Sequence, residues 1–334
     1  MMMRFVVDLA QDWDEYKNAW TTCMQNHYWF REPRLLDFSK EEELAEQEKD
    51  FGRDDRAFLV ARREDSQDIV GVLGLKVAAH SGVIRRWEPS VVASEKNTRV
   101  GETLLQEGLK TLGRRGVTNV TSVLKYPKDL EQEVKWHADL FKRQGFEMPV
   151  PPAAQLIADL REYRVTQRSS PGVRITTGEK YEDQKLAEIT IKAFTSTPED
   201  KRIHGRYPSV TVPSEALKTI EDLRAGRMGP SPPEMWKVAL VGNEAAGMTG
   251  SFIRIEPHQP KTGVLGPVGV LPEYRKRGIG AALVIAALQS MKKQGCEYAL
   301  VSTPQENTAG IATYVRGGFS DLYRQMTFER TLSK

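Results

Sequence analysis

The chain has 334 residues, which is too long for one compact core and suits two domains of ordinary size. Hydrophobic residues make up 40% of it and charged residues 28%, so the composition provides for packed cores and excludes a disordered or fibrous chain. The 48 basic and 45 acidic residues nearly cancel, so nucleic-acid binding would need a concentrated basic patch.

Other features of the composition bear on the compartment. The longest uncharged apolar stretch, residues 278–291, falls short of the roughly 18 residues that a membrane span needs. Cys23 and Cys296 are the only cysteines, too few for a disulfide framework or a cysteine-based metal site. The first residues lack the apolar core of a secretory signal. We therefore expect a cytoplasmic protein with no membrane association and no metal.

A polar segment at residues 165–172 divides the chain near its midpoint. It contains Pro171 and Gly172 and lies between two strand-like runs, as a linker does. The sequence therefore predicts one domain at residues 1–164 and a second at residues 173–334.

The two halves share a pattern, as expected for a tandem repeat. Phe141 precedes the pair Gly145-Phe146 by four residues, and Tyr314 precedes Gly318-Phe319 by the same distance. Upstream, periodicity predicts the order strand, helix, several antiparallel strands, helix, strand, helix, strand in each half. The first strand-like segments of the two halves are residues 4–9, 57–62, 69–77 and 83–92, and residues 173–177, 236–241, 248–255 and 264–270. Two mixed α/β domains follow from this order.

The end of the last of these strands carries the pattern of an anion-binding turn. The apolar run ends at Val270, and Pro272 stops the strand. Three cations and two glycines follow before a helix with an apolar stripe: Arg275, Lys276, Arg277, Gly278 and Gly280. Glycines let a ligand approach the backbone N–H groups at the positive end of the helix dipole. A diphosphate fits such a turn, and a surface turn with a cationic rim is the simpler alternative.

Two other phosphate-binding motifs do not fit this stretch. A Rossmann fingerprint would place its third glycine where Leu283 stands. A P-loop would end in Gly-Lys followed by Ser or Thr, which is absent here.

The motif Arg275-x-x-Gly278-x-Gly280, preceded by Val270-x-Pro272, resembles the acyl-CoA-binding motif of the GNAT N-acetyltransferase superfamily. Asn307 and Tyr314, seven residues apart and followed by Gly318-Phe319, resemble the last helix and turn of that family. The tandem halves are similar to mycothiol-synthase-like acetyltransferases. The resemblance implies an α/β (α+β) fold of two tandem GNAT-like domains. Each would be a twisted, splayed, mostly antiparallel sheet flanked by helices, with acetyl-CoA in the splay.

The resemblance also assigns residue roles. The implied acetyl-CoA-binding residues are Val268, Gly269 and Val270 at the acetyl and pantetheine end, Arg275 in the motif, Lys276, Arg277, Gly278, Ile279, Gly280 and Ala281 at the diphosphate, and Asn307 at the pantetheine. Tyr314 would be the general acid. Backbone N–H groups at a strand end can polarise the thioester carbonyl, and a phenol can protonate the leaving thiolate.

One position departs from the family pattern. The family often places a glutamate, acting as general base, five residues before the asparagine, and here that residue is Ser302. Serine needs a partner to act as a base, so other candidates stay open: His204, Glu256, His258 and Glu306. Substrate recognition is expected in residues 195–213, where a cationic segment suits a carboxylate or phosphate group on the acceptor, or is simply solvated.

The first half departs further from the same template. Ala93, Lys96 and Arg99 stand for the proline, the arginine and the first glycine of the motif. Val134 and Phe141 stand for the asparagine and the tyrosine. The first half is therefore predicted to be a degenerate copy.

These inferences predict an acetyl-CoA-dependent N-acetyltransferase. The acetyl group would pass by direct attack on the thioester to the amine of a small-molecule acceptor, without nucleic acid, membrane or metal. The alternative is a non-catalytic acyl-CoA-binding or interaction module, suggested by Ser302 and the missing base. The acceptor and the oligomeric state stay open.

Overall fold

The computed structural model describes residues 5–25, 27, 40–96, 98–164, 171–256 and 259–332. The chain divides into two compact units, Met1–Pro151 with Tyr323–Lys334 as unit 1, and Pro152–Leu322 as unit 2. This division does not follow the predicted limits 1–164 and 173–334. Of the predicted linker 165–172, residues 165–170 lie outside the described residues.

Unit 1 begins with ten elements in chain order. They are β1 (Phe5–Leu9), α1 (Trp13–Met24), α2 (Lys40–Asp50), β2 (Arg56–Arg63), β3 (Ile69–Ala78), β4 (Ser81–Ile84), β5 (Ser90–Val91), α3 (Val100–Arg114), β6 (Asn119–Tyr126) and α4 (Glu131–Arg143). The sheet runs β1-β2-β3-β4-β6, and only the β4–β6 pair is parallel. Helix α3 buries Leu104, Leu105 and Leu112 at helical spacing, which fixes its apolar face on the core.

The third predicted strand of the first half, residues 83–92, is interrupted. Strand β4 ends at Ile84, and β5 begins only at Ser90, where it pairs with β3. Trp87 and Glu88 lie between them and are buried, and the Glu88–Pro89 peptide is cis. The apolar pattern of this segment therefore reflects burial, and only part of it is a strand.

Unit 2 contains the next twelve elements. They are β7 (Ala153–Asp159), β8 (Val173–Thr177), α5 (Asp183–Thr195), α6 (Pro198–His204), α7 (Pro208–Thr211), α8 (Pro213–Arg224), β9 (Lys237–Val241), β10 (Glu244–Arg254), β11 (Thr262–Val270), α9 (Ile279–Lys293), β12 (Tyr298–Pro304) and α10 (Thr308–Gly317). The sheet order is β7-β12-β11-β10-β9-β8, again with a single parallel pair, β11 and β12. Its core includes Leu186, Trp236, Met248, Leu288 and Ala299.

The last strand of each unit comes from an unexpected part of the chain. Strand β13 (Ser320–Thr331) pairs with β6 from Arg324 to Thr331 and completes the sheet of unit 1. Strand β7 pairs with β12 along its whole length and completes the sheet of unit 2. The two closing strands are thus exchanged relative to the simple repeat predicted from the sequence.

Each unit is a mostly antiparallel sheet flanked by helices, which confirms the predicted fold class. No helix in the described part of the chain is both long and apolar enough to cross a lipid bilayer.

Candidate functional site

A gap between two strands of unit 2 opens into a cavity. Strand β11 pairs with β12 only from Thr262 to Val264, and beyond that point the two strands separate. The gap continues into a cavity of about 800 Å³, which is in the size range of small-molecule sites. Val264, Leu265 and Val268 give its wall an apolar character.

The backbone at the end of β11 alternates between the two sides of the strand. The N–H of Leu271 donates to Ala246 of the neighbouring chain segment at 2.9 Å, so odd-numbered residues here aim at β10. Val268 and Val270 therefore aim their backbone groups at the gap, and both line the cavity. Gly269 does not line it. A Cβ at Gly269 would lie 2.8 Å from the Cβ of Ala193, so this glycine permits close packing of α5 on the sheet.

The turn after β11 has the backbone geometry of an anion site. Lys276 and Gly278 have φ angles of 63° and 78°, in the left-handed region that costs an ordinary residue about 1 kcal/mol. Gly278 is the N-cap of α9, so the N–H groups of the first turn of that helix have no intrahelical partner. They face the same cavity, which Lys276, Gly278, Ile279, Gly280 and Ala281 line.

Two members of the predicted motif serve the protein itself. Arg277 does not line the cavity; its guanidinium lies 5.5 Å from the ring centroid of Tyr274. Gly280 lines the cavity, and a Cβ there would lie 2.9 Å from Cγ2 of Thr313, so it also lets α10 approach α9.

Arg275 lines the cavity, but its guanidinium is bonded to protein atoms. Nε donates to the carbonyl of Val270 at 3.1 Å, and Nη2 donates to the carbonyl of Ala193 at 2.7 Å and to Asp200 at 3.1 Å. Arg275 therefore braces the turn, and its predicted cofactor-binding role stays a prediction.

Asn307 and Tyr314 reach the cavity from α10. Asn307 caps that helix by accepting from the N–H of Gly310 at 3.0 Å, and its Nδ2 donates to Thr303 at 2.9 Å. One amide hydrogen and one lone pair are still free for a ligand. Tyr314 is buried, and no residue of the described part hydrogen-bonds to its hydroxyl. Burial raises the pKa of this phenol well above its usual value.

The serine that stands at the position of the missing glutamate lies at the cavity. Ser302 lines the cavity, and its hydroxyl accepts from Nε2 of Gln155 at 2.8 Å.

Among the described residues, no group of three His, Cys, Asp or Glu side chains is placed to hold a metal ion.

The four candidate bases occupy different surroundings. His204 lines the cavity. Glu306 is paired with Arg202 at the surface, and Glu256 lies 3.5 Å from Arg254 and does not line the cavity. His258 lies outside the described residues. Of the three candidates that the structure describes, His204 is the one that lines the cavity.

The segment expected to recognise substrate, residues 195–213, does form one wall. Its cavity-lining members are Glu199, Asp200, His204, Tyr207, Ser209 and Val210. Arg316, which sequence reasoning missed, lines the cavity from α10. Its only sequence signal is its spacing of three residues from Thr313, which places both on one helical face.

The corresponding region of unit 1 is packed with side chains. Val134 and Phe141, which replace the asparagine and tyrosine, are buried, and Phe141 stacks on Phe328 at 5.1 Å. Arg99 occupies the N-cap position of α3, where its side chain is 68% exposed and makes no capping hydrogen bond. His137 Nε2 donates to the carbonyls of Trp87 and Pro89 at 3.1 and 3.0 Å, within the break between β4 and β5.

The features of unit 2 fit an acyl-CoA. The helix N-terminus and the left-handed turn suit a diphosphate, and the apolar gap suits a pantetheine arm. Strand-end backbone groups and the free phenol of Tyr314 lie in the same cavity as the turn.

Comparison with known proteins agrees with this geometry. Residues 202–319 match the Acetyltransferase (GNAT) family. A 157-residue region is 29% identical to the mycothiol acetyltransferase of Thermobispora bispora and covers 45% of this chain and 47% of that protein. A 160-residue region is 32% identical to the mycothiol acetyltransferase of Saccharopolyspora erythraea, covering 44% and 51% respectively. The chain spans about half the length of the curated relatives it matches.

A solved structure extends the likeness in fold to both units. The GCN5-related N-acetyltransferase from Sphaerobacter thermophilus is 15% identical with a TM-score of 0.53, over 98% of this chain and 95% of that one. The match to the GNAT family lies within unit 2, and the tandem GNAT resemblance stated from the sequence is confirmed.

Proposed function

We propose that the protein is an acetyl-CoA-dependent N-acetyltransferase that acts on a small-molecule amine at the cavity of unit 2. The observation that carries the proposal is the convergence of three features on one cavity. These are the left-handed turn at Lys276 and Gly278, the strand end at Val268–Val270, which β12 leaves unpaired on one side, and the hydroxyl of Tyr314, to which no described residue hydrogen-bonds. Each supplies a different requirement of acetyl transfer.

The residues have distinct roles in this proposal. The first-turn N–H groups of α9 and the Lys276 side chain hold the diphosphate. The backbone of Val268 and Val270 holds and polarises the acyl end, and Asn307 contacts the pantetheine through its remaining amide hydrogen. Bound acetyl-CoA supplies the activated thioester. The phenol of Tyr314, kept protonated by burial, gives its proton to the departing sulfur.

Direct transfer of the acetyl group needs no nucleophilic side chain of the enzyme. Attack by an amine forms no covalent bond to the enzyme, so the buried thiol of Cys296 has no part in it. The pKa of that thiol is raised by burial, which makes it inert. The matched relatives are named mycothiol acetyltransferases, which supports acetyl transfer by this chain. The name does not assign their acceptor to this chain.

A non-catalytic acyl-CoA-binding module is the second candidate. It is favoured by Ser302, whose hydroxyl is bonded to Gln155 where the family often has a glutamate. It predicts tight acetyl-CoA binding without release of free thiol.

One experiment separates the two functions. Acetyl-CoA binding is measured by calorimetry, and thiol release is followed with a chromogenic disulfide in a panel of three amines that carry no thiol: glucosamine, tyramine and spermidine. Amine-dependent thiol release with an acetylated product of the expected mass supports the enzyme. Binding without release from any amine supports the module, and failure to bind acetyl-CoA contradicts both.

A further inference from the structure

We propose that His204 is the general base that takes the proton from the acceptor amine at this site. The inference deepens the proposed acetyltransferase function and rests on it. It starts from the missing carboxylate at Ser302, since the proton lost by the amine must still have an acceptor.

His204 lies where a general base for this reaction must lie, in the cavity that also holds the acid. It is the last residue of α6, and its ring lines the cavity that Tyr314 and the strand end also line. The base and the acid thus reach one cavity from different elements, α6 and α10. A base must lie within hydrogen-bond reach of its proton, either directly or through one water, and the shared cavity allows this.

The ring is held in place by packing and by its helix. The imidazole meets the ring of Phe194 edge to face, with centroids 4.8 Å apart. Helix α6 is fixed at its start by a capping box between Thr197 and Asp200. Asp200 also accepts from Arg275, which bonds to the carbonyl of Val270 at the strand end. A chain of hydrogen bonds therefore ties the helix of the base to the acyl-binding strand.

The ring is also chemically available. It is 8% exposed, and no residue of the described part hydrogen-bonds to it. The charged groups that act on it are Asp200, Arg275 and Glu306. Burial is the largest influence and lowers the pKa of His204 below its usual value, so the imidazole is neutral at pH 7. A neutral imidazole can accept a proton.

The carboxylates nearby are less suited to this role. Asp200 already accepts from the N–H of Thr197 at 3.1 Å, from the hydroxyl of Thr197 at 2.7 Å and from Arg275. Glu306 is paired with Arg202. Glu199 lines the cavity but is an exposed carboxylate. Of these, Glu199 is the rival that an experiment must exclude.

The proposed step balances in protons and electrons. The amine nitrogen bonds to the acetyl carbon, and the bond between that carbon and sulfur breaks. The nitrogen proton passes to the free ring nitrogen of His204, and the sulfur receives the proton of Tyr314. Exchange with solvent then removes the proton from the imidazolium and returns one to the phenolate.

The kinetic test compares three variants with the panel amine that gives the highest kcat/KM. His204→Gln should lower kcat/KM roughly 10²- to 10³-fold and leave the acetyl-CoA Kd unchanged. On the acid side of the pH profile, the slope of log kcat/KM against pH should fall by one, because the amine still titrates and the imidazole is gone. His80→Gln, a change at an exposed histidine of unit 1, should alter none of these. Glu199→Gln tests the rival carboxylate.

A second variant guards against a merely structural effect. His204→Ala opens space beside Phe194, and imidazole added to the buffer should restore part of the lost rate without changing the Kd for acetyl-CoA. Circular dichroism and thermal unfolding establish that both His204 variants are folded. A structural role predicts no rescue by imidazole.

The third readout does not depend on turnover. The chain has five histidines, so labelled imidazole carbons give few NMR signals, and the one absent from His204→Gln is assigned. It should titrate below pH 6.5 and shift when the panel amine is added to protein loaded with CoA, which carries no acetyl group to transfer.

The outcomes separate this inference from the proposed function. If the wild-type protein transfers acetyl groups and His204→Gln retains its rate, acid limb and amine response, His204 is not the base. A loss confined to Glu199→Gln overturns the inference in favour of the carboxylate. If the wild-type protein binds acetyl-CoA but acetylates no panel amine, the proposed function fails. If the NMR signal of His204 also does not shift when an amine is added, the amine does not bind beside His204 either.

Discussion

The guanidinium of Arg275 donates to the carboxylate of Asp200 at 3.1 Å, although the two residues are 75 positions apart. The same side chain donates to the carbonyls of Ala193 and Val270. It therefore joins the end of β11, the end of α5 and the start of α6. These are the elements that carry the acyl-binding strand end and the acceptor-side wall, so one arginine sets their relative position.

Replacing this arginine should loosen unit 2. We expect Arg275→Ala to lower the free energy of unfolding by about 2 kcal/mol, because several charge-assisted hydrogen bonds are lost and Asp200 keeps only Thr197 as a partner. Arg277→Ala is the matched control, since that exposed side chain only contacts Tyr274 and the carbonyl of Glu273. Thermal and urea unfolding measure both. Equal stability of the two variants would show that Arg275 does not brace the turn.

The phenol of Tyr314 should matter to turnover and little to binding. Tyr314→Phe is expected to lower kcat roughly 10²- to 10⁴-fold with an acetyl-CoA Kd close to that of the wild type. Burial raises the pKa of Tyr314, so the acid form persists and the wild-type rate should show no alkaline loss from this group below pH 10. Stopped-flow thiol release and calorimetry provide the two measurements.

Tyr274→Phe removes a hydroxyl from the same cavity wall and serves as the control. That hydroxyl donates to the carboxylate of Glu244. A near-normal rate in Tyr314→Phe, or an equal loss in Tyr274→Phe, would remove Tyr314 from the mechanism.

Gly278 should be essential for binding the diphosphate. Gly278→Glu places a carboxylate at the N-terminus of α9, where it competes with the ligand for the same N–H groups. The Kd for acetyl-CoA should rise at least 100-fold, which corresponds to a loss of about 3 kcal/mol of binding free energy. Gly242→Glu is a matched control, because Gly242 also has a positive φ, 60°, and has nothing within 4 Å of an added Cβ. Calorimetry and thermal unfolding of both variants separate backbone strain from anion competition. Retained affinity in a folded Gly278→Glu protein would show that the turn is not the phosphate site.

Much of unit 2 could be predicted because local signals agree there. The strand Val173–Thr177 has the predicted limits, and β11, the turn and α9 follow the order read from Pro272, the cations and the glycines. Residues close in sequence determine such a strand, turn and helix. Nine of the eleven predicted acetyl-CoA-binding residues line one cavity together with Tyr314. Gly269 and Arg277 are the two that do not. Their roles stay predictions.

What could not be predicted depends on contacts distant in sequence. No local signal in strands β7 and β13 says which sheet each one joins. The bonds of Arg275 to Ala193 and Asp200 likewise follow from the fold alone. The break after Ile84 was hidden because buried Trp87 and Val91 continue the apolar pattern of a strand.

The packing of unit 1 leads to a prediction about stoichiometry. Arg99 stands where a glycine would be needed, and Val134 and Phe141 are committed to the core. We expect one acetyl-CoA per 334-residue chain by calorimetry. Arg99→Glu should leave that stoichiometry and affinity unchanged. A second site that persists at moderate salt would make unit 1 a binding domain in its own right.

The break in the sheet of unit 1 buries two titratable groups with opposite pKa shifts. Burial raises the pKa of Glu88 to about 7, although Arg85 is near, and its carboxyl accepts from Tyr16 at 3.2 Å and from the N–H of Gly74. Burial lowers the pKa of His137 to about 4. In the folded state Glu88 therefore keeps a proton that the unfolded chain loses above about pH 4.5, and His137 lacks a proton that the unfolded chain takes up below about pH 6.5.

These two groups should have opposite effects on stability between pH 4.5 and pH 7. As the pH rises through this range, Glu88 lowers the free energy of unfolding by about 3 kcal/mol, because the unfolded chain gains the ionised carboxylate that the folded state lacks. His137 raises the free energy of unfolding by about the same amount, because the unfolded chain loses its protonated imidazole. The two contributions therefore nearly cancel. In Glu88→Gln only the His137 contribution survives. The amide oxygen can accept from the N–H of Gly74, and the amide NH2 group can donate to the hydroxyl oxygen of Tyr16. The free energy of unfolding of this variant should therefore rise by about 3 kcal/mol more than that of the wild type between these pH values. All tryptophans except Trp236 precede residue 152, so urea unfolding followed by tryptophan fluorescence reports mainly on unit 1. Parallel pH profiles for the two proteins would show that Glu88 ionises normally in the folded state.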